Sequence, residues 1–563
     1  MARKVRSCSA LLTSGAPFTE HSGTPEAIRA SVRQHVAAGV DLVKLFATNG
    51  ITIGNGRGSY TFNAQTTALT SGFALADLLL GLPTNTSRSP LMPGSYTRNS
   101  FLGLFIQDDY RVNNKPTLNI GMRYELNTPI YDKFNRLSHF DPDTGQIIVQ
   151  GQDGGPRELY RYDLNNWSPR LGFAYQPFGN GKTVLRAGAG IFYNAPATNN
   201  VRNGPQQSNA PFVTAQTFNA SRANPIVLDN PYPAANNTAG TLVLSAFNGR
   251  FPEASIYQWS LNVQRQLTSA MVVEVGYQGS KGSRLPQWYN LNQPTPGLGT
   301  VAEVQARRPY RAFGNITFLD AIGQSHYHGL TARLDHRYAN GLTFTVSYTY
   351  SKSIDTTPGT TFNVTPSRAS AQNTRNLLQG ERGLSDFDLR QRFVASPVYE
   401  LPFGTGKKFA NQGWLGYLVG SWQISGILTL QSGRPFTALV TRDQSNTLGS
   451  LDRPNMIGDP NTGPRTVGEW FNTAAFALQP AGTFGNAGRN NIDGPGLINV
   501  DLALSRRFVY RERYSLQFRA ESFNIANHTN FNLPVQAIDN QAFGRITSSF
   551  APRQIQFGVK LGF

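Results

Sequence analysis

Residues 342 to 350 read Leu-Thr-Phe-Thr-Val-Ser-Tyr-Thr-Tyr. Successive side chains of an extended chain point to opposite faces, so Leu342, Phe344, Val346, Tyr348 and Tyr350 share one side and Thr343, Thr345, Ser347 and Thr349 the other. One side is greasy and the other is wet. The pattern recurs at Leu118, Ile120, Met122 and Tyr124 against Asn119, Gly121 and Arg123, and at Trp259, Leu261 and Val263 against Ser260, Asn262 and Gln264. It returns at Ile498, Val500, Leu502 and Leu504, and at Leu516, Phe518 and Ala520, where Gln517, Arg519 and Glu521 oppose. Three such polar groups in a row would be costly inside a dry sandwich core.

Further alternating segments bring the count to roughly thirteen to sixteen strands. They fall in pairs. Connections near 178–182, 266–269, 338–341 and 507–513 are short and polar, whereas 194–255, 281–324, 352–388 and 433–497 are long and rich in Asn, Gly, Pro, Thr and Gln. Short turns at one end and solvated loops at the other predict an all-β, antiparallel, transmembrane outer-membrane β-barrel. Tyr110, Tyr124, Tyr175, Tyr193, Trp259, Tyr277, Tyr350, Tyr399 and Trp422 fall near strand ends, as an interfacial girdle would place them, although aromatics favour strands anyway.

Composition agrees with that class. Of 563 residues only 15% are charged, against a usual value of about 25%, while 55 Gly and 34 Pro punctuate the chain. No run approaches the ~18 apolar residues of a membrane-spanning helix. A single cysteine, Cys8, excludes an intrachain disulfide. His326, His328 and His336 lie in a strand-like segment, which favours ordinary strand positions over a metal site. The net charge of +18 suits nucleic acid, an anionic membrane surface or a basic channel wall. The arginines are scattered rather than gathered in a patch, so no nucleic-acid partner is expected. No catalytic motif is present, and no catalytic residue, cofactor or metal is assigned.

The first 52 residues read differently. Thr24 caps a helix with Pro25 at its first position, Ile28, Val32 and Val36 recur every four residues, and Val40 to Phe46 forms a short strand. The stretch from Gly23 to Gly50 resembles the helix-to-strand segment of metal-dependent amidohydrolases, in which Lys44 would take the metal-bridging position, but the family's His-x-His motif has no counterpart here. The division is therefore an amidohydrolase-like αβ fragment at 1–52, not an independent domain, and a barrel at 53–563. Arg3, Lys4 and Arg6 precede too short an apolar run for a convincing export signal.

Phe105-Ile-Gln-Asp-Asp-Tyr-Arg-Val112, followed by Leu118-Asn-Ile-Gly-Met-Arg-Tyr-Glu125, resembles the strand pair of TonB-dependent transporters of the Oar-like type. Trp167 to Tyr175, Leu185 to Tyr193, Asp386 to Phe393, Phe518 to His528 and the Phe73-Ala-Leu-Ala-Asp-Leu-Leu-Leu-Gly81 segment are similar to others of that family. The resemblance implies the cell outer membrane and outer-membrane lipid as surroundings, with substrate uptake or binding at loops and at a plug. Neither a plug nor a TonB box is read in the chain, so the expectation is an incomplete 22-strand barrel, with TonB as partner only if a plug is supplied elsewhere. The final strand, with Ile555, Phe557, Val559, Leu561 and the terminal Phe563 on one face, looks like the signal read by the barrel assembly machinery. Arg123, Arg186, Arg333, Arg337 and Arg519 would face the lumen as a basic wall for an anionic or peptide-like ligand. They could instead pair across strands with Asp335, Glu521 and Asp501. Two alternatives stand beside this reading: a soluble or surface-attached β-rich adhesin or carbohydrate-binding module, and an amidohydrolase remnant.

Overall fold

The computed structural model describes residues 42–46, 50–55, 58–63, 73–88, 96–113, 115–152, 155–195, 209–213, 216–236, 242–356, 371–404, 406–449, 452–510 and 514–563. They fall into two compact units, one of 95–205 with 242–563 and one of 1–94 with 206–241.

The larger unit is built on thirteen antiparallel strands in a row, each paired with the next in sequence. They are β1 (Phe101–Arg111), β2 (Pro116–Asn127), β3 (Trp167–Tyr175), β4 (Thr183–Asn194), β5 (Ala254–Gln266), β6 (Met271–Asn290) and β7 (Phe313–Ala339). The row continues through β8 (Leu342–Asp355), β9 (Gln391–Glu400), β10 (Trp422–Gln431), β11 (Leu497–Tyr510), β12 (Tyr514–Phe523) and β13 (Gln554–Gly562). Among the described residues β1 and β13 are not paired with each other.

Register converts the alternation of each strand into rows across the sheet. Leu185, Val263, Val275, Ala332, Tyr348, Phe393, Leu430 and Ile498 stand opposite one another from β4 to β11. One residue along, Arg186, Asn262, Gly276, Thr331, Thr349, Arg392 and Gln431 form the facing polar row. A slip of one residue anywhere would exchange the two faces, so the greasy face fixes the register. The alternation has departures, for Val184, Val394 and Ile427 sit in polar rows beside Gln264, Ser347 and Asp501. On the greasy face Leu104, Ile106, Leu171, Val275 and Leu330 are exposed.

Strand β1 reaches β2 through 112–115, β3 reaches β4 through 176–182, β5 reaches β6 through 267–270, and β7 reaches β8 through 340–341. At the same end, 401–421 and 511–513 join β9 to β10 and β11 to β12. All the long connections lie at the other end: 128–166, 195–253, 291–312, 356–390, 432–496 and 524–553. The segment 281–324, expected as a loop, instead carries the outer parts of β6 and β7, which stay paired as far as Asn290 and Thr317. Leu242–Phe247 adds to that outer part in parallel. Period two fades there because both faces are covered: Gln287, Ile316, Phe318 and Leu319 are all buried.

The hydrophobic cores of this unit lie in these long connections and in the strand extensions beneath them. Ile130, Leu137, Leu159, Phe247, Phe251 and Leu319 make one cluster, and Phe140, Leu244, Ala246, Ile316 and Phe318 another. A third gathers Phe436, Phe471, Phe476, Ala487 and Ile492. The long connections are therefore folded caps, which corrects their reading as merely solvated loops.

The smaller unit holds a five-stranded sheet, Leu42–Phe46, Gly50–Asn55, Gly58–Phe62, Asn85–Arg88 and Gln216–Asn219, in that order. Helix Ala74–Leu80 closes on Gly81, whose positive φ of 68° suits a glycine C-cap. Leu78 and Phe62 form its small core. The strand expected at 40–46 is present as Leu42–Phe46, paired antiparallel with Gly50–Asn55, whereas a strand of an α/β barrel would run parallel to its neighbours. The helix expected from Thr24 lies outside the described residues.

Candidate functional site

The five arginines do not converge. Arg123 is on β2, Arg186 on β4, Arg333 and Arg337 on β7, and Arg519 on β12. Arg333 grips Asp335 with Nε and Nη2 at 2.8 to 2.9 Å, and Thr345 Oγ1 donates to the same carboxylate at 2.7 Å. Arg519 pairs with Glu521 at 2.5 Å, and Arg123 pairs with Glu125. Arg186 Nη1 donates to Gln264 across the β4–β5 pairing at 2.7 Å. Of the acids expected to pair across strands, Asp335 and Glu521 pair with arginines along their own strand instead, because residues i and i+2 share a face at close range. Asp501 accepts from the Asn524 backbone N–H at 2.8 Å. Arg337 is exposed at the short-connection end, beside the irregularity between His336 and Ala339, away from the middle of the polar face.

A hollow of about 510 Å³ lies against β3 to β7. Two register rows of the polar face supply most of its lining: Arg170, Gly190, Gln258, Ser280 and Tyr327, and beside them Gly188, Ser260 and Gln278. Glycine opens the space, since a Cβ at Gly190 would sit 3.4 Å from Arg170 Cγ and from the Phe192 ring. Arg170 Cζ lies 4.8 Å from the centroid of that ring. Amide and hydroxyl groups around one cation can hydrogen-bond a polar or anionic solute, but nothing in the set is arranged for bond-breaking. Sequence reasoning passed over Arg170, although its register with Gly190 and Gln258 follows once the strands are paired.

The caps are stiffened by buried charge. Arg453 pairs with Glu381 and Arg489 with Asp355, and Arg489 also reaches Asp386 at 3.4 Å. Arg453 Nη1 donates to the Gly380 carbonyl at 3.0 Å, and Arg489 Nε to that of Glu381 at 2.9 Å. These bonds tie connection 356–390 to connection 432–496. Below the first cap Glu253 is buried; Asn127 Nδ2 donates to its two oxygens at 2.9 and 3.1 Å. Burial, reinforced by the charges of Asp163 and Glu125, pushes its carboxyl up to about 7, against the opposing effect of the Asn127 bond.

Among the described residues the C-terminal strand β13 pairs with β12 alone, matching Phe518 with Val559 and Ala520 with Phe557. Ile555, Phe557, Val559 and Leu561 are exposed, as is Phe563 beyond the strand. Apolar belt, polar face and folded caps together make a wall suited to hydrocarbon on one side and water on the other.

Comparison with known proteins gives this wall a lineage. The outer membrane beta barrel domain family matches residues 29–556, so its likeness already begins inside the fragment read as amidohydrolase-like. The TonB-dependent transporter Oar of Myxococcus xanthus is 23% identical over 323 residues, which is 52% of this chain and 27% of that protein. Among solved structures, the outer membrane transporter YddB from Escherichia coli is similar with a TM-score of 0.45 at 9% identity, over 92% of this chain and 61% of that one. The FrpB iron transporter from Neisseria meningitidis has a TM-score of 0.41 at 10% identity, over 92% and 53%. The chain thus spans about a quarter of the curated relative and less than two thirds of these transporters. It is an outer-membrane β-barrel protein, mostly antiparallel strand, and it belongs to the outer membrane beta barrel domain family.

Proposed function

We propose that the chain forms the wall and external caps of an outer-membrane receptor or transporter of the TonB-dependent kind, serving substrate uptake or surface binding. The observation that carries this reading is the register itself, which sets apolar rows on one face and Arg, Asn, Gln, Ser and Thr rows on the other. The ligand class is an anionic or peptide-like solute, met by Arg170, Arg186 and the amides beside them. TonB engages the system through a plug supplied outside this wall, and the barrel assembly machinery reads β13. A soluble β-rich module would have to hide Leu104, Ile106 and Leu171, which are exposed. The amidohydrolase-remnant reading of residues 1 to 52 rests on their sequence alone.

The wall is part of a larger cylinder on this proposal. Twelve successive antiparallel pairings leave β1 and β13 running in the same direction. Closing them on each other, or on a second copy in the same membrane orientation, would make a parallel seam. An odd number of further strands closes an antiparallel wall and satisfies the edge groups that hydrocarbon cannot.

Two measurements test the reading. Vesicle-inserted full chain should bind fluorescent anionic tripeptides more tightly than cationic ones of equal size; equal affinities would remove the ligand class. Paired cysteines at Ile106 and Val559, on a Cys8→Ser background, should give no intrachain cross-link, whereas an efficient one would mean that β1 meets β13.

A further inference from the structure

The connection between β9 and β10 is the one short-end connection that carries a helix among the described residues: α1, Gly413–Val419. It is locked in place. A Cβ at Gly420 would come within 2.8 Å of the Gly404 Cα and 2.5 Å of the Gly416 carbonyl oxygen, so only glycines permit this packing. Arg506 Nη2 donates to the Tyr417 carbonyl oxygen. The Arg506 guanidinium lies 3.9 Å from the Phe508 ring and 5.8 Å from those of Trp422 and Tyr417. Arg506 and Phe508 continue the face of Leu502 and Leu504, so α1 is held against the greasy side of the wall at its short-connection end.

With that much of α1 fixed, two of its aromatics still turn most of their surface away from the protein. Trp414 is 72% exposed and Tyr417, one helical turn on, 61%. Other turns at this end repeat the theme. Phe178, Leu267, Tyr338 and Phe409 are exposed there, and so are the cations Lys115, Lys182, Arg337, Lys408 and Arg507. Across residues 112–115, 176–182, 267–270, 337–341, 400–421 and 506–513 the sequence holds nine basic residues and two acidic ones. Of those two, Glu400 is already engaged by Lys407 at 3.0 Å and by the Tyr338 hydroxyl at 2.6 Å.

We infer that this rim, led by α1, docks on a surface of anionic phospholipid headgroups. The inference rests on the outer-membrane reading and extends it. The occupant follows from two features: the rim continues the apolar belt downward, and its net charge is positive. Exposed Trp and Tyr on a short helix beside exposed Lys and Arg sit at the boundary between headgroup and acyl chain, where rings and cations are both satisfied. Each basic residue adds electrostatic attraction to anionic lipid.

The test uses the full chain on a Cys8→Ser background, with a fluorophore on Gln412→Cys at the start of α1 and, in a separate protein, on Leu502→Cys within the belt. Vesicles of phosphatidylcholine, with or without phosphatidylglycerol, carry a headgroup quencher for the first label and an acyl-chain quencher for the second. The Gln412→Cys label should be quenched more strongly with phosphatidylglycerol, and Lys408→Gln should lower that preference roughly fivefold. Trp414→Ser should weaken quenching in both lipids while leaving the Leu502→Cys label unchanged, which shows that the variant still inserts. Equal quenching in the two lipids, or none at Gln412→Cys with normal quenching at Leu502→Cys, would overturn the rim. Loss of quenching at Leu502→Cys in the otherwise unaltered chain would instead overturn the membrane reading beneath it.

Discussion

The wall and the caps use the same side chains in opposite ways. In the strands Ile106, Leu171 and Val559 are 75%, 60% and 67% exposed, while in the connections Phe140, Phe471 and Ile492 are 0% exposed. Burial against other side chains is what stabilises the caps, and a second solvent must perform that service for the wall. The caps are small water-soluble folds carried on a structure that is not one.

The comparison can be broken at either side. Phe471 packs its ring edge-on to Phe436 and Phe543, at centroid distances of 5.5 and 5.1 Å. Phe471→Ala should destabilise the cap by about 3–5 kcal/mol. Hydrogen exchange would then show residues 432–496 losing protection while β10 and β11 keep theirs; simultaneous loss in both would mean that cap and wall are one cooperative unit. On the wall, Val275→Arg should cost about 2–4 kcal/mol of folding free energy in a bilayer near the midplane. Thr331→Arg, one register position away on the polar face, should stay within about 0.5 kcal/mol. Urea titration of vesicle-inserted protein separates the two, and equal costs would remove the distinction between the faces.

The smallest expected effect is one of pH. Glu253 holds its proton more tightly folded than unfolded, so its contribution favours the fold in acid and is lost as pH rises from its ordinary 4.5 through about 7. Cap stability should fall across that window in the natural chain, and Glu253→Gln should flatten the slope. An unchanged slope would assign the titration to another group.

The wall was legible because period two survives wherever one face is uniformly apolar, as at 342–350. The caps were not. Phe436, Phe471, Phe476 and Phe543 come together from distant points in the chain with no spacing in common. The outer halves of β6 and β7 were hidden for a related reason, since burial on both faces erases alternation. The ion pairs were readable and missed: Arg123-x-Glu125, Arg333-x-Asp335 and Arg519-x-Glu521 repeat one pattern. That recurrence is the sequence signal of a cation steadied by its own strand. The hollow beside Arg170 needs the register of five strands at once, which no single segment contains.

The shared direction of β1 and β13 bears on how such a wall can grow over evolutionary time. Duplicating or deleting a hairpin changes the tally by two and leaves its oddness intact. Among the described residues, hairpin copying alone would therefore keep an odd row odd and leave its two outermost strands pointing the same way.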